Sequence, residues 1–231
     1  MIKFLRYGLT TFALIFVFNA ISVTETKAQG ALNDILNRMD AHYKALTSLQ
    51  ASVKMDKYNS QLEEHDITEG TAKYLPLKGR DALVRIDWTK PLEESLAVVN
   101  KEYVLYRPRL KQALVGKVDK AQGSAKSNSA LAFMNMSKAQ LKTNYNVKYI
   151  GQENLSNGTP TWHLELTPKI KTTYKVADIW VDGNGMPIQM KVTENYNDAT
   201  TILLSNLKKN ETLNTKIFVI TLPKGTKELK G

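Results

Sequence analysis

The chain has 231 residues, no cysteine, and 32 Lys and Arg against 22 Asp and Glu, a formal charge of +10. Without cysteine there is no disulfide, no thiolate metal site and no lipid on an N-terminal Cys, so the fold must rest on its apolar core. The positive balance suits an anionic membrane surface, an acidic partner protein or nucleic acid, and the start of the chain argues against the last.

Lys3 and Arg6 precede an apolar run from Leu9 to Val23, which Thr10, Thr11, Asn19 and Ser22 interrupt and Thr26-Lys27-Ala28 closes. This is the pattern of a signal peptide, and the run is shorter than the about 20 apolar residues that a membrane span needs. Residues 1–28 are therefore expected to be cleaved, with Gln29 opening a soluble exported chain. No Pro, Gly or Ser-rich linker divides residues 29–231, so a single domain is expected.

Leu32, Ile35, Leu36, Met39, Tyr43 and Leu46 share one face at helical spacing and predict an amphipathic helix of about four turns. From Leu49 the period changes to two: Leu49, Ala51, Val53 and Met55 alternate with Ser52, Lys54 and Asp56. Further strands are expected near Ile67 to Leu75, Ala82 to Trp88, Ser95 to Val99, Tyr103 to Tyr106 and Gln112 to Gly116. A second run covers Asn146 to Gln152, Thr161 to Leu166, Tyr174 to Val181, Ile188 to Glu194, Thr200 to Leu207 and Lys216 to Ile220. Turn residues between them, such as Ser156-Asn157-Gly158 and Asp182-Gly183-Asn184-Gly185, predict short antiparallel connections. Ser127 to Asn144 interrupts the strands, with Leu131, Phe133, Met134, Met136 and Leu141 at partly helical spacing, and is expected to form one or two short helices.

A large curved sheet must cover its apolar face with something other than water, and the two helical segments are available as that cover. Periodicity leaves open whether they pack solidly or enclose a cavity. Bulky Trp88, Tyr103, Trp162, Trp180 and adaptable Met186 and Met190 stand at positions read as inward. The basic residues are scattered, with a modest cluster at Arg107, Arg109, Lys111, Lys117 and Lys120.

Chemistry is sparse. His42, His65 and His163 lie apart with no metal-ligand spacing. No GxSxG elbow exposes a serine, and Asp182-Gly183-Asn184-Gly185 lacks the bidentate acid of a calcium loop. Neither catalytic residue, metal nor cofactor is expected.

The helix segment Leu36-Asn37-Arg38-Met39-Asp40, then Arg80, Pro91 eleven residues later, and Tyr106-Arg107-Pro108 with its Pro seventeen beyond that, resemble the periplasmic outer-membrane lipoprotein carrier family, LolA. Leu164-Glu165-Leu166-Thr167-Pro168-Lys169 and Phe218-Val219-Ile220-Thr221-Leu222-Pro223-Lys224-Gly225 are similar to two later strands of that family, so the resemblance spans nearly the whole chain after the leader. It implies a mainly β fold, an open antiparallel half-barrel of about eleven strands with a helical lid over an apolar cavity. It further implies a monomeric periplasmic carrier that takes acylated lipoproteins from an inner-membrane exporter to an outer-membrane acceptor without covalent chemistry.

The implied cavity lining is Trp88, Val98, Tyr103, Leu105, Trp162, Leu164, Trp180, Ile188 and Met190 from the sheet, with Leu131, Phe133 and Met134 from the lid. Arg80 matches the family's strand arginine that hydrogen-bonds to the lid. Asp81 stands where the family has Pro, which makes Arg85 the alternative. Other readings are a binder of free lipid or glycolipid on the same fold, an envelope-stress sensor, and a structural or adhesion β-protein with a filled core.

Overall fold

The computed structural model describes residues 22–77, 82–118 and 136–231, with side chains from Gln29 onward. Helix α1 (Ser22–Ala45) buries Leu32, Ile35, Leu36 and Met39, four members of the predicted stripe. It begins earlier than the stripe and runs through the expected cleavage point at Ala28.

Twelve strands follow: β1 (Leu49–Asn59), β2 (Glu64–Pro76), β3 (Ala82–Lys90), β4 (Glu94–Val99), β5 (Glu102–Arg107), β6 (Gln112–Lys117), β7 (Tyr145–Asn154), β8 (Pro160–Pro168), β9 (Tyr174–Val181), β10 (Pro187–Glu194), β11 (Ala199–Lys209) and β12 (Lys227–Lys230). All lie in one open sheet of order β12-β6-β5-β4-β3-β2-β1-β11-β10-β9-β8-β7. Every pairing is antiparallel except β12 on β6. Within the expected Ser127 to Asn144 segment, helix α2 (Lys138–Asn144) carries a capping box in which Ser137 and Gln140 satisfy each other's backbone N–H. Leu131, Phe133 and Met134 lie outside the described residues, as does Arg80.

Two corrections concern the C-terminus. The strand expected at Lys216 to Ile220 is instead a 3-10 turn, Thr215–Phe218, opened by Asn214, whose side chain accepts from the Lys216 N–H at 2.9 Å. This turn packs across β3 and β4, where it meets a face rather than an edge and has no ladder to join. The last strand is β12, which was not expected; it pairs parallel with β6 and completes a sheet of twelve strands, in keeping with the about eleven expected.

Strict alternation sorts the sheet into two faces. Val53 and Met55 of β1, Ile202 and Leu204 of β11, Met190 of β10, Ile179 of β9 and Leu164 of β8 share one face across successive registers, and all are buried. They join the α1 side chains in one core, which makes this the inner face. On the outer face Leu83, Ala97 and Ala113 are buried apart from that core, and the C-terminal turn brings buried Phe218 against this part of the sheet. The C-terminal segment thus straps the outer side before it joins the β6 edge.

Hydrogen bonds stitch the two helices together at matching four-residue intervals. Lys142 and Lys138 donate through Nζ to Asn33 Oδ1 (3.2 Å) and Asn37 Oδ1 (2.6 Å), and the Lys138 N–H reaches Asp40 Oδ1 (3.3 Å). The two lysine side-chain bonds are exposed and individually weak, and the Lys138 N–H bond is part-buried. Buried Leu36 and Leu141 do more to hold the helices, each contributing roughly 1.5–3 kcal/mol by burial.

Candidate functional site

The inner face divides into two regions of different packing. Beneath α1 it is filled: Leu164, Leu166, Ile179, Val181, Ile188 and Met190 are all buried against the helix core. Of the predicted lining, Leu164, Ile188 and Met190 belong to this filled region. Across β2 to β6, by contrast, large apolar side chains on the same face stay half-buried. Tyr74, Val84, Trp88, Val98 and Leu114 rise above a floor of buried Ile86, Leu96, Tyr103 and Leu105.

Register places these side chains together. Gly70 pairs with Trp88, Ala72 with Ile86 and Tyr74 with Val84; Val84 then pairs with Val98, Val98 with Tyr103, and Leu105 with Leu114. Tyr103 lies flat along the neighbouring strand, because Gly116 leaves room: a Cβ there would stand 2.9 Å from the Tyr103 ring. One end of this apolar patch is polar. Glu94, opposite Trp88, accepts from Arg107 Nε at 3.1 Å.

Trp162 shares the inner face with Leu164 but sits at the far end of β8, where the Arg38 guanidinium lies 5.5 Å over its ring. Arg38 also donates from Nη1 to the Gly183 carbonyl at 3.3 Å. Beside them is a cleft of about 410 Å³ lined by Gln152, Glu153, Asn154, Pro160, Thr161, Trp162 and Gly183.

Two predicted residues fall on the outer face instead. Trp180 alternates with buried Ile179 and Val181, and the pleat turns it away from α1. Its ring stacks on His163 at 4.4 Å between centroids and its Nε1 donates to Glu153. His163 is held in turn by Asp178 (2.8 Å) and Glu153 (3.0 Å). Arg85, the alternative lid arginine, also points outward. It donates from Nε to Asp87 Oδ1 (2.8 Å) and from Nη2 to Ser95 Oγ (3.2 Å), out of reach of an inner-face lid. Burial pushes the Asp87 carboxyl up, but hydrogen bonds from Arg85 and Ser95 and the charges of Arg85 and Lys73 outweigh it and hold the carboxyl below its usual value.

Tyr74, Val84 and Leu114, and the Glu94–Arg107 pair, were not anticipated. Val84 lies two and four residues from Ile86 and Trp88, a strand period that could have found it. Among the described residues no group of three or more His, Cys, Asp or Glu could hold a metal ion, and no helix is long and apolar enough to cross a membrane.

An open, antiparallel-dominated sheet with helices packed on its inner face and a half-buried apolar region beside them defines a LolA-like half-barrel. The chain belongs to that family: residues 56–221 match the outer membrane lipoprotein carrier protein LolA. Proteins of this family are carriers or binders rather than enzymes. In structure the chain is similar to an uncharacterized conserved protein from Thermus thermophilus, at 14% identity and a TM-score of 0.55, covering 87% of this chain and 99% of that one. It is also similar to MucB in the Pseudomonas aeruginosa MucA/MucB complex, at 13% identity and a TM-score of 0.51, covering 83% of this chain and 61% of that one. At these identities the likeness is one of fold. No curated protein sequence matches the chain.

Proposed function

We propose that the chain is exported, loses residues 1–28, and works in the periplasm as a monomeric carrier that shelters lipoprotein acyl chains between an inner-membrane exporter and an outer-membrane acceptor. The observation that carries this reading is the contrast on the inner face: solid packing under α1, and half-buried Tyr74, Val84, Trp88, Val98 and Leu114 beside it. An acyl chain laid on that region leaves water at about 0.8 kcal/mol per buried CH₂. A cargo that must be released later calls for a loose apolar surface rather than a tight pocket, and aromatic and branched side chains with the Glu94–Arg107 pair at one end provide one. Neither nucleic acid nor a cofactor enters this function. The role of Arg80 in closing the lid comes from the family resemblance, and its substitution by Leu is expected to leave cargo binding intact while blocking hand-over.

The test is native mass spectrometry with organic extraction of the protein purified from its own periplasm, alongside a Trp88→Ser, Val98→Ser variant. Triacylated lipoproteins that co-purify with the wild type and are depleted from the variant are the expected result. Free phospholipid or glycolipid in their place would make the chain a lipid binder of the same fold. A clean apoprotein that also ignores fluorescent fatty probes would end the carrier reading.

A further inference from the structure

The two rims of the sheet differ in what their connections present to solvent. In an antiparallel meander successive turns alternate between ends, so the β1–β2, β3–β4, β5–β6, β8–β9 and β10–β11 connections all lie on one rim. Each of the five carries one large exposed apolar side chain: Leu62 (65% exposed), Leu92 (46%), Leu110 (58%), Ile170 (77%) and Tyr196 (81%). On the opposite rim the connections β4–β5, β7–β8 and β9–β10 end in Asn100-Lys101, Ser156-Asn157-Gly158 and Asp182-Gly183-Asn184 with no exposed large apolar residue, and the apolar side chains there are the less exposed Leu77 (39%) after β2 and Val118 (39%) after β6. Scattered exposed apolar residues are ordinary, but one at every tip of one rim is a pattern.

The apolar rim is held as an array. Asp198 accepts from the Ser60 N–H at 2.8 Å, and Ser60 Oγ donates to the Tyr196 carbonyl at 2.8 Å, which ties the β1–β2 tip to the β10–β11 tip. Asn195 Nδ2 donates to the Thr172 carbonyl at 3.1 Å and brings in the β8–β9 tip. Charge is arranged around it. Both outer tips read basic-apolar-basic, Arg109-Leu110-Lys111 and Lys169-Ile170-Lys171, with all six residues exposed. The acids Glu63, Glu93 and Asp198 sit at the central tips between them.

We propose that this rim docks on an anionic lipid bilayer, with Leu110 and Ile170 entering the headgroup boundary and their flanking cations meeting lipid phosphates. Charge complementarity selects this occupant: each Lys or Arg near an anionic surface adds to the attraction, and an apolar side chain between two cations is the arrangement that satisfies both layers of the interface. Tyr196 is the amphipathic residue suited to the same depth. Docking of this kind needs no cargo, so it stands apart from the carrier reading.

The experiment is co-sedimentation of the processed, cargo-stripped protein, residues 29–231, with vesicles of phosphatidylcholine alone and of phosphatidylcholine with phosphatidylglycerol. Binding to the anionic vesicles only, falling as salt is raised, and weakened about tenfold or more in Leu110→Asn, Ile170→Asn, is the expected result. The opposite-rim variant Lys101→Gln should bind as the wild type does. Protein that stays in the supernatant with both vesicle types overturns the proposal. So does a Leu110→Asn, Ile170→Asn variant that keeps its native circular dichroism and binds undiminished, as it would if this rim met a protein instead.

Discussion

Gly185, in the β9–β10 turn, lies directly against the backbone of Arg38 in α1: a Cβ on it would collide with the Arg38 carbonyl and stand 2.7 Å from the Met39 nitrogen. Its φ of +86° is also in the left-handed region. Gly185→Ala should therefore cost roughly 1–3 kcal/mol for the backbone alone and lift α1 from the sheet. Gly183→Ala, two residues away with open space around it, should be nearly silent. Urea unfolding of both variants, with hydrogen exchange across α1, checks the contrast.

His42 sits on the same seam, with its Nε2 buried and unpartnered. Burial first, and then the Lys209 charge, push its pKa down against the opposing pull of Asp182, which holds Lys209 at 3.6 Å. A depressed folded-state value means that the neutral ring is favoured in the fold. Its contribution is full above the unfolded value of about 6.5 and is lost as pH falls through the folded value. Acidification from neutral pH should lower the melting temperature of the wild type, and His42→Leu should flatten that slope.

Asp87 titrates in a different window. Its folded-state pKa is also lowered, so the stabilisation from Arg85, Ser95 and Lys73 is complete above the unfolded value of about 3.9 and disappears as pH falls through the folded one. The stability gap between wild type and Asp87→Asn should be constant from neutral pH to about pH 5 and close at lower pH. Denaturant midpoints measured across that range test the sign.

Phe218 is fully buried beneath the outer-face strap. Phe218→Ala should cost about 3–5 kcal/mol and free the segment that leads to β12, so limited proteolysis should cut between Asn210 and Lys227 well before the sheet unfolds. A variant as resistant as the wild type would show that β12 is held by its ladder with β6 alone.

Elements with strong periodicity were legible from the sequence, because the pleat and the helix write themselves into side-chain spacing. The α1 stripe and the alternation of β1 are direct examples. Trp180 was misplaced because bulk was taken as a mark of inwardness, while its neighbours Ile179 and Val181 already claimed the inner face. Strand β12, Lys-Glu-Leu-Lys, has no apolar alternation and is wholly exposed. It exists because the β6 edge offers unpaired backbone groups, information that resides in the partner. The converse error at Lys216 to Ile220 has the same origin: strand-like residues form no strand where there is no edge to receive them. The difference between filled and half-buried regions of the inner face depends on where the helices come to rest, and no local pattern encodes that.

The sheet order carries a last consequence. Strand β1, the first made, lies at the centre and pairs with β11, from Leu49 with Lys209 to Tyr58 with Ala199. Its core ladder therefore cannot close until the chain beyond residue 199 is present, and pairings this distant in sequence form slowly. The other antiparallel pairings join strands that follow one another in sequence, so a newly made chain can form β1 to β6 and β7 to β11 separately before this seam closes. The native sheet is therefore completed late, by one long-range seam between β1 and β11 that joins two locally connected halves.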